Sequence, residues 1–236
     1  MNQSNTKYDF DSIAQRYDRC NHLFSMGIDR GWRREVIKTL NPQVHQRLLD
    51  VCTGTGDLVL AFCKHSPAKD VTGLDISEAM IAHAQEKHIR LDSKSWMRGK
   101  QVYWLRADAQ ETGLPSGSYD YITCAFGIRN IPDRIAALKE MHRLLKPNGK
   151  LCILEFSLPA NPLLRAVYRL YLNHLMPVTG KLVIGSRESL TYLARSIHQW
   201  HTQVDFSREL ADSGLSLIRK TPLTGGIVTL WLARRC

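Results

Sequence analysis

Short apolar runs alternate with stretches of helical periodicity along the first two thirds of the chain. Residues 47–52 (Arg-Leu-Leu-Asp-Val-Cys) form an apolar run that stops at Thr53-Gly54-Thr55-Gly56, after which 57–64 read as a helix. Residues 70–75 give a second strand, and Ser77 caps a helix that runs through Ala79, Met80 and Ala84 to about Leu91. Residues 101–107 make a third strand, and 119–126, almost wholly apolar and rich in β-formers, a fourth of the buried parallel kind. Residues 132–145 place Ile135, Leu138, Met141 and Leu145 on one stripe and end at Pro147-Asn148-Gly149, and 151–156 follow as a fifth strand.

This rhythm predicts an α/β fold: a doubly wound, mostly parallel sheet with right-handed crossovers, whose ligands belong at the carboxyl ends of the strands. After Ser157 the rhythm breaks. Residues 161–195 carry long helical patterns, and no strand follows until about Ser213, so this stretch reads as a helical insertion after strand five. Residues 215–220 and 227–233 complete seven strands, and the short Thr-Pro-Leu-Thr-Gly-Gly connection implies an antiparallel last strand. The expectation is one domain over 1–236: an N-terminal helical cap (1–45), a core that holds the cofactor loop (46–157), the insertion as a substrate lid (158–212) and a final strand pair (213–236).

Hydrophobic residues make up 44% and charged residues 23%, the balance of an ordinary globular protein. No window approaches the ~20 apolar residues a membrane helix needs, and 1–7 are polar, so a cytoplasmic protein is expected. The six cysteines show no CxxC pair and read as small reduced core residues, with no metal expected. A formal charge of +10 suits an acidic partner, either nucleic acid or the anionic face of a membrane, or simply a soluble basic surface. Because there is no RNA-binding appendage and no aromatic-basic interleaving, nucleic acid is not the expected partner.

Asp50-Val51-Cys52-Thr53-Gly54-Thr55-Gly56-Asp57 spans the junction of the first strand and first helix. Glycine there permits a tight turn and close approach of backbone N–H groups to a ligand, and the helix N-terminus favours a carboxylate. Asp75 ends the second strand at the spacing where a carboxylate accepts both hydroxyls of a ribose. Asp108-Ala109 ends the third, where a carboxylate either accepts from an adenine amino group or caps the loop. Positions 52, 54, 56 and 59 are Cys, Gly, Gly and Val, so the G-x-G-x-x-G of dinucleotide sites is incomplete. Taken together, Asp50, Gly54, Thr55, Gly56, Asp75, Asp108 and Ala109 resemble the class I methyltransferase site for S-adenosylmethionine, with Cys52 where many members carry glycine. That resemblance implies a Rossmann-like class I fold, with S-adenosylmethionine as cofactor and S-adenosylhomocysteine as its product.

Five further segments stand in order: Tyr17-Asp18-Arg19-Cys20-Asn21 with Ser25, Gly27, Arg30 and Trp32-Arg33; Phe126-Gly127-Ile128-Arg129-Asn130; Arg143-Leu144-Leu145-Lys146-Pro147-Asn148-Gly149 through Leu154-Glu155-Phe156-Ser157; Tyr192-Leu193-Ala194 with Ser196-Ile197; and Leu223-Thr224-Gly225-Gly226-Ile227-Val228. Over about residues 8–231 the chain resembles the C-methyltransferases of ubiquinone and menaquinone biosynthesis. It departs at Cys20, Asp29 and Asn148, where that family has Met, His and usually Gly.

The resemblance implies methyl transfer to a ring carbon of a prenylated quinol, most simply demethylmenaquinol to menaquinol. A ubiquinone-pathway benzoquinol, RNA, another small molecule and a non-catalytic binding module are the alternatives. A quinol carbon becomes nucleophilic when its hydroxyl loses a proton. Arg129 is too basic for an ordinary general base and is expected to stabilise the quinolate or orient a water, while Asn130 positions the hydroxyl. The competing reading is a loop pair bonded to backbone. Asp18, beside Tyr17 and Asn21, is a candidate proton acceptor or a packing residue. Glu155 forms the floor of the site or bonds a loop amide, and 224–226 make a tight turn.

Within 163–176, Leu164, Val167, Tyr168, Tyr171 and Leu175 recur at helical spacing, with Arg165, Arg169 and Asn173 between them. This segment is expected either to cover the prenyl chain and rest on an anionic membrane surface, or to pack on the sheet or across a dimer.

Overall fold

A computed structural model describes residues 25, 27–176 and 187–236. Tyr17, Asp18, Cys20 and Asn21 therefore lie outside the described residues. Seven strands, β1 (Arg47–Val51), β2 (Asp70–Asp75), β3 (Gln101–Arg106), β4 (Tyr119–Ala125), β5 (Leu145–Phe156), β6 (Leu215–Leu223) and β7 (Val228–Arg235), form one sheet in the order β3-β2-β1-β4-β5-β7-β6. The first five run parallel, and β7 is antiparallel to both β5 and β6. From β1 the chain winds outward to β2 and β3 and then returns to β4, so the switch in winding falls between β1 and β4.

The central strands are mostly apolar because both faces of the sheet are covered. On one face α1 (Asp29–Leu40) and α2 (Asp57–His65) bring Trp32, Val36, Val59 and Phe62 against Leu48 and Leu154. On the other, α4 (Arg134–Leu144) and α7 (Phe206–Asp212) bring Leu138, Met141, Phe206 and Leu210 against Ile122 and Ile153. α3 (Glu78–Leu91) joins β2 to β3, with Ser77 accepting from the Met80 amide as its cap. The edge strands β3 and β6 are the exposed ones, and Arg219, Lys220 and Pro222 blunt the β6 edge.

The insertion contributes α5 (Pro162–Leu170), a π-helical turn over Tyr171–Leu175 and α6 (Arg187–Gln203), which share a separate cluster of Leu158, Tyr168, Leu172, Met176, Leu190 and Ile197. Two expectations change. β5 begins at Leu145 rather than 151, since Pro147-Asn148-Gly149 is a bulge within the strand: Asn148 takes φ 62 and the β4–β5 register shifts between Tyr119 and Tyr121. Asparagine tolerates this left-handed backbone better than most side chains do, which accounts for its standing where glycine is usual. On α5 the exposed apolar residues are Leu163, Leu164, Val167 and Leu170, whereas Tyr168 is buried. Buried Cys63, Cys124 and Cys152 are core residues as expected, while Cys236 is exposed.

Candidate functional site

At the carboxyl end of β1 the backbone turns left-handed at Cys52 (φ 55), Gly54 (φ 56) and Gly56 (φ 80), and Gly56 opens α2. Gly56 is required twice over: its φ is positive, and a Cβ there would stand 2.4 Å from the Trp104 ring. The Thr53 amide bonds the Leu74 carbonyl at 2.9 Å, which holds the loop against β2. Asp75 closes that contact, its Oδ2 accepting from the Gly54 amide at 2.8 Å and its Oδ1 from the Ser77 amide at 3.0 Å. The carboxylate thus stands between the glycine loop and the start of α3, at the carboxyl edge of the sheet. Ile76 beside it is 46% exposed although apolar.

Asp50 lies beneath this loop rather than facing its opening. It is buried and accepts from Thr53 Oγ1 at 2.8 Å and Thr123 Oγ1 at 2.6 Å. Burial pushes its carboxyl up to about 7, against the pull of both hydroxyls and of Arg33. Thr55 is buried as well and accepts from Lys87 Nζ at 3.2 Å. Lys87 and Arg33 both pair with Asp57, and Arg33 also pairs with Asp29, so one ionic chain ties α1, the first turn of α2 and α3 behind the loop. Asp108 accepts from the amide and side chain of Gln110 at 2.9 and 3.0 Å, the geometry of a loop cap, and Ala109 is buried.

Across the switch point, β4 ends at Ala125 and is followed by Phe126, whose φ of 60 is costly for an aromatic residue, and Gly127 passes directly over Cys52. A Cβ at Gly127 would lie 2.4 Å from the Cys52 Cβ, so the loops after β1 and β4 touch. The single turn Ile128–Asn130 follows. Arg129 Nη1 donates to Glu155 Oε1 at 2.7 Å and to the Phe126 carbonyl, and Nε donates to Ser196 Oγ at 3.2 Å. Glu155 is fully buried and also accepts from the amides of Phe156 (2.8 Å) and Arg129 (3.4 Å). Burial pushes its carboxyl up while Arg129 pulls it down. Both Arg129 and Glu155 therefore bond backbone, and the turn is built on their ion pair. Asn130 Oδ1 accepts from the Tyr192 hydroxyl at 3.0 Å.

An aromatic wall stands beside this turn. Phe126 and Phe156 lie 4.5 Å apart between centroids, Trp32 of α1 lies 5.9 and 6.3 Å from them, and the Arg129 guanidinium sits 5.4 Å above Phe156. Trp32 Nε1 donates to Thr224 Oγ1 at 2.8 Å, which fixes the wall to the tight turn Thr224–Gly226. The structure thus places Gly54, Thr55 and Gly56 in the loop after β1 with Asp75 bonded to it, Arg129 and Asn130 in the turn after β4, Asp50 buried below the first loop, and Asp108 and Ala109 after β3, while Asp18 lies outside the described residues. Sequence reasoning assigned no role to Ile76, Tyr192 or Ser196. An apolar residue immediately after a strand-end carboxylate was the available signal for the first; for the other two it was the segment Tyr192-Leu193-Ala194 with Ser196-Ile197 that carries the family resemblance, which does not say that α6 is the partner of a turn sixty residues away.

Comparison with known proteins gives a consistent picture. The profile of the "ubiE/COQ5 methyltransferase family" matches residues 1–235. Proteins named demethylmenaquinone methyltransferase from Staphylococcus aureus strains JH9 and Newman are 35% identical over 224 residues, covering 94% of this chain and 90% of theirs. Among solved structures, a SAM-dependent methyltransferase from Aquifex aeolicus superposes with a TM-score of 0.66 at 20% identity, covering 98% of this chain and 100% of that one. Phosphoethanolamine N-methyltransferase 2 of Haemonchus contortus, solved with S-adenosyl-L-methionine, gives 0.63 at 15% identity over 97% of this chain and 60% of its own. These structural likenesses bear on the fold, which is that of Rossmann-like methyltransferases.

Proposed function

Because the chain belongs to the ubiE/COQ5 methyltransferase family, we propose that this S-adenosylmethionine-dependent C-methyltransferase methylates a ring carbon of a prenylated quinol, demethylmenaquinol, to give menaquinol. The observation that carries the reading is the meeting of two loops at the β1–β4 switch point: a glycine loop stitched to Asp75, and an Arg129–Asn130 turn flanked by Trp32, Phe126 and Phe156. When bound, S-adenosylmethionine supplies an electrophilic methyl and leaves as S-adenosylhomocysteine. Gly54, Thr55, Gly56 and the N-terminus of α2 suit its carboxylate, Asp75 its ribose hydroxyls, and exposed Ile76 one face of its adenine, with Asp108 and Ala109 at the adenine edge. Asp50 acts indirectly, by holding Thr53 under the loop.

On the acceptor side the aromatic wall suits a flat ring, and Arg129 and Asn130 offer donors to its oxygen. Asp18 is the carboxylate we assign to the proton that the ring carbon must lose once methylated. The insertion serves as cover for the prenyl chain, and the exposed Leu163, Val167 and Leu170 of α5, with Arg169 beside them, suit peripheral contact with an anionic membrane. The experiment is transfer of labelled methyl to demethylmenaquinol, a benzoquinol precursor and total RNA in parallel. Label in the naphthoquinol is expected, with demethyl precursor accumulating in cells that lack the protein; label confined to RNA or the benzoquinol would overturn the assignment.

A further inference from the structure

The first turn of α2 sets two charges against each other. Its N-terminal amides and helix dipole favour an anion, yet the side chain that stands there is itself a carboxylate, Asp57. Left to itself, Asp57 would repel a second carboxylate brought to the same turn. Cations from two other helices stand on its two oxygens: Lys87 of α3 donates to Oδ1, and Arg33 of α1 pairs with Oδ2 at 3.1 Å. The two are not equivalent. Arg33 also pairs with Asp29 and pulls on Asp50, so its charge is divided among three carboxylates. Lys87 reaches into the glycine loop, where the same ammonium donates to Thr55 Oγ1 at 3.2 Å. The Lys87 and Asp57 side chains are 19% and 21% exposed, so solvent ions screen this pair far less than a surface one.

We propose that Lys87 is a positioning residue for the amino-acid end of the cofactor: it offsets the Asp57 charge and fixes Thr55, so that the first turn of α2 can receive a carboxylate. This rests on the cofactor placement given above, in which the N-terminus of α2 meets that carboxylate. The consequence is a selectivity set by charge. A ligand that keeps the carboxylate is held more tightly because Lys87 is present. A ligand reduced to adenosine and sulfur is indifferent to it. A ligand with the ammonium but no carboxylate meets a field that Lys87 makes less favourable. A residue that merely shaped the loop would affect all three alike.

Calorimetry with three ligands reads this selectivity. S-adenosylhomocysteine carries both charges of the amino-acid end, its decarboxylated analogue carries the ammonium alone, and methylthioadenosine carries neither. The wild type should bind S-adenosylhomocysteine most tightly. Lys87→Met should weaken that ligand about tenfold, leave methylthioadenosine within about twofold, and bind the decarboxylated analogue at least as well as the wild type does. Lys87→Arg, which keeps the charge, should retain the preference for the carboxylate. Adding Asp57→Asn to Lys87→Met removes the repelling charge and should bring S-adenosylhomocysteine back to within about threefold of the wild type. Equal losses for all three ligands overturn the proposal, as does a double variant that folds and recovers nothing. If the wild type prefers S-adenosylhomocysteine and Lys87→Met keeps that preference in full, this inference fails alone. If the wild type binds S-adenosylhomocysteine no better than methylthioadenosine, the placement of the carboxylate at α2 fails with it.

Discussion

At the scale of single residues, the cofactor loop spends stability on its shape. Cys52 and Phe126 sit in left-handed backbone at the ends of adjacent strands, and the position of Cys52 is one where the family resemblance expects glycine. Gly127 is glycine for a different reason: its φ of −108 suits any residue, but there is no room for a Cβ above Cys52. Asp50 adds a titrating group under the same loop. Its carboxyl, at about 7 when folded against 3.8 for the free group, binds a proton more tightly in the native chain. The stability it confers is complete below pH 3.8 and is lost as pH rises through about 7. Urea unfolding across that window should show the wild type losing stability relative to Asp50→Asn as pH rises. Parallel profiles would mean that Asp50 is ionised as freely folded as unfolded. None of this is written in the sequence, where Asp50 reads as one more strand-end carboxylate; its burial and its Thr123 partner come from the packing of β1 against β4, and Thr53 reaches it from the loop that follows β1.

At the scale of elements, strand-helix alternation was legible because buried parallel strands are apolar on both faces, and β1, β2 and β4 lie within a residue of where their apolar runs place them. Pro147-Asn148-Gly149 misleads because a bulge and a turn use the same residues. The insertion misleads through its period: Tyr168, Leu172 and Met176 are buried four residues apart, since the π-helical turn over Tyr171–Leu175 widens the repeat beyond 3.6. The Arg129–Glu155 pair joins the loop after β4 to β5, and sequence weighed its two residues apart. Removing one partner of such a buried pair costs about 3–5 kcal/mol, because a charge is left without its counterion. Glu155→Ala should therefore unfold at much lower urea concentration. The double change Arg129→Met with Glu155→Leu should restore most of that stability while methyl transfer stays lost. If the double variant were as unstable as the single one, the pair would matter to folding through more than charge; if it were active, Arg129 would have no part in transfer.

At the scale of the whole molecule, excess charge and exposed apolar surface meet in the insertion. No helix among the described residues is long and apolar enough to cross a membrane. On α5, Leu163, Val167 and Leu170 are 76%, 57% and 57% exposed and fall on one stripe, which is unusual for residues of that size. Next to them Arg169 of α5 and Arg195 and His198 of α6 line a cavity of about 550 Å³ whose apolar lining is Leu158, Leu172 and Ala194. Burial lowers the His201 imidazole, and the neighbouring charges of Arg165, Arg169 and Lys220 lower it further, so these three cations share one field. An apolar stripe bordered by cations matches the interface of an anionic bilayer, where each basic side chain contributes about 1 kcal/mol. Arg165 is a poor site for a test, because it also bonds the Pro159 and Ala160 carbonyls and holds the loop before α5. Arg169→Glu with Arg195→Glu is the cleaner change. In co-sedimentation the wild type should favour phosphatidylglycerol over phosphatidylcholine vesicles, and the double reversal should weaken that partition about tenfold or more. Added salt should weaken it too, because exposed charges are screened within about 10 Å at 0.1 M. Leu163→Asp with Val167→Asp should reduce binding to both kinds of vesicle. Partition that ignores anionic lipid and survives the double reversal would leave α5 as a helix that merely lies against its own fold.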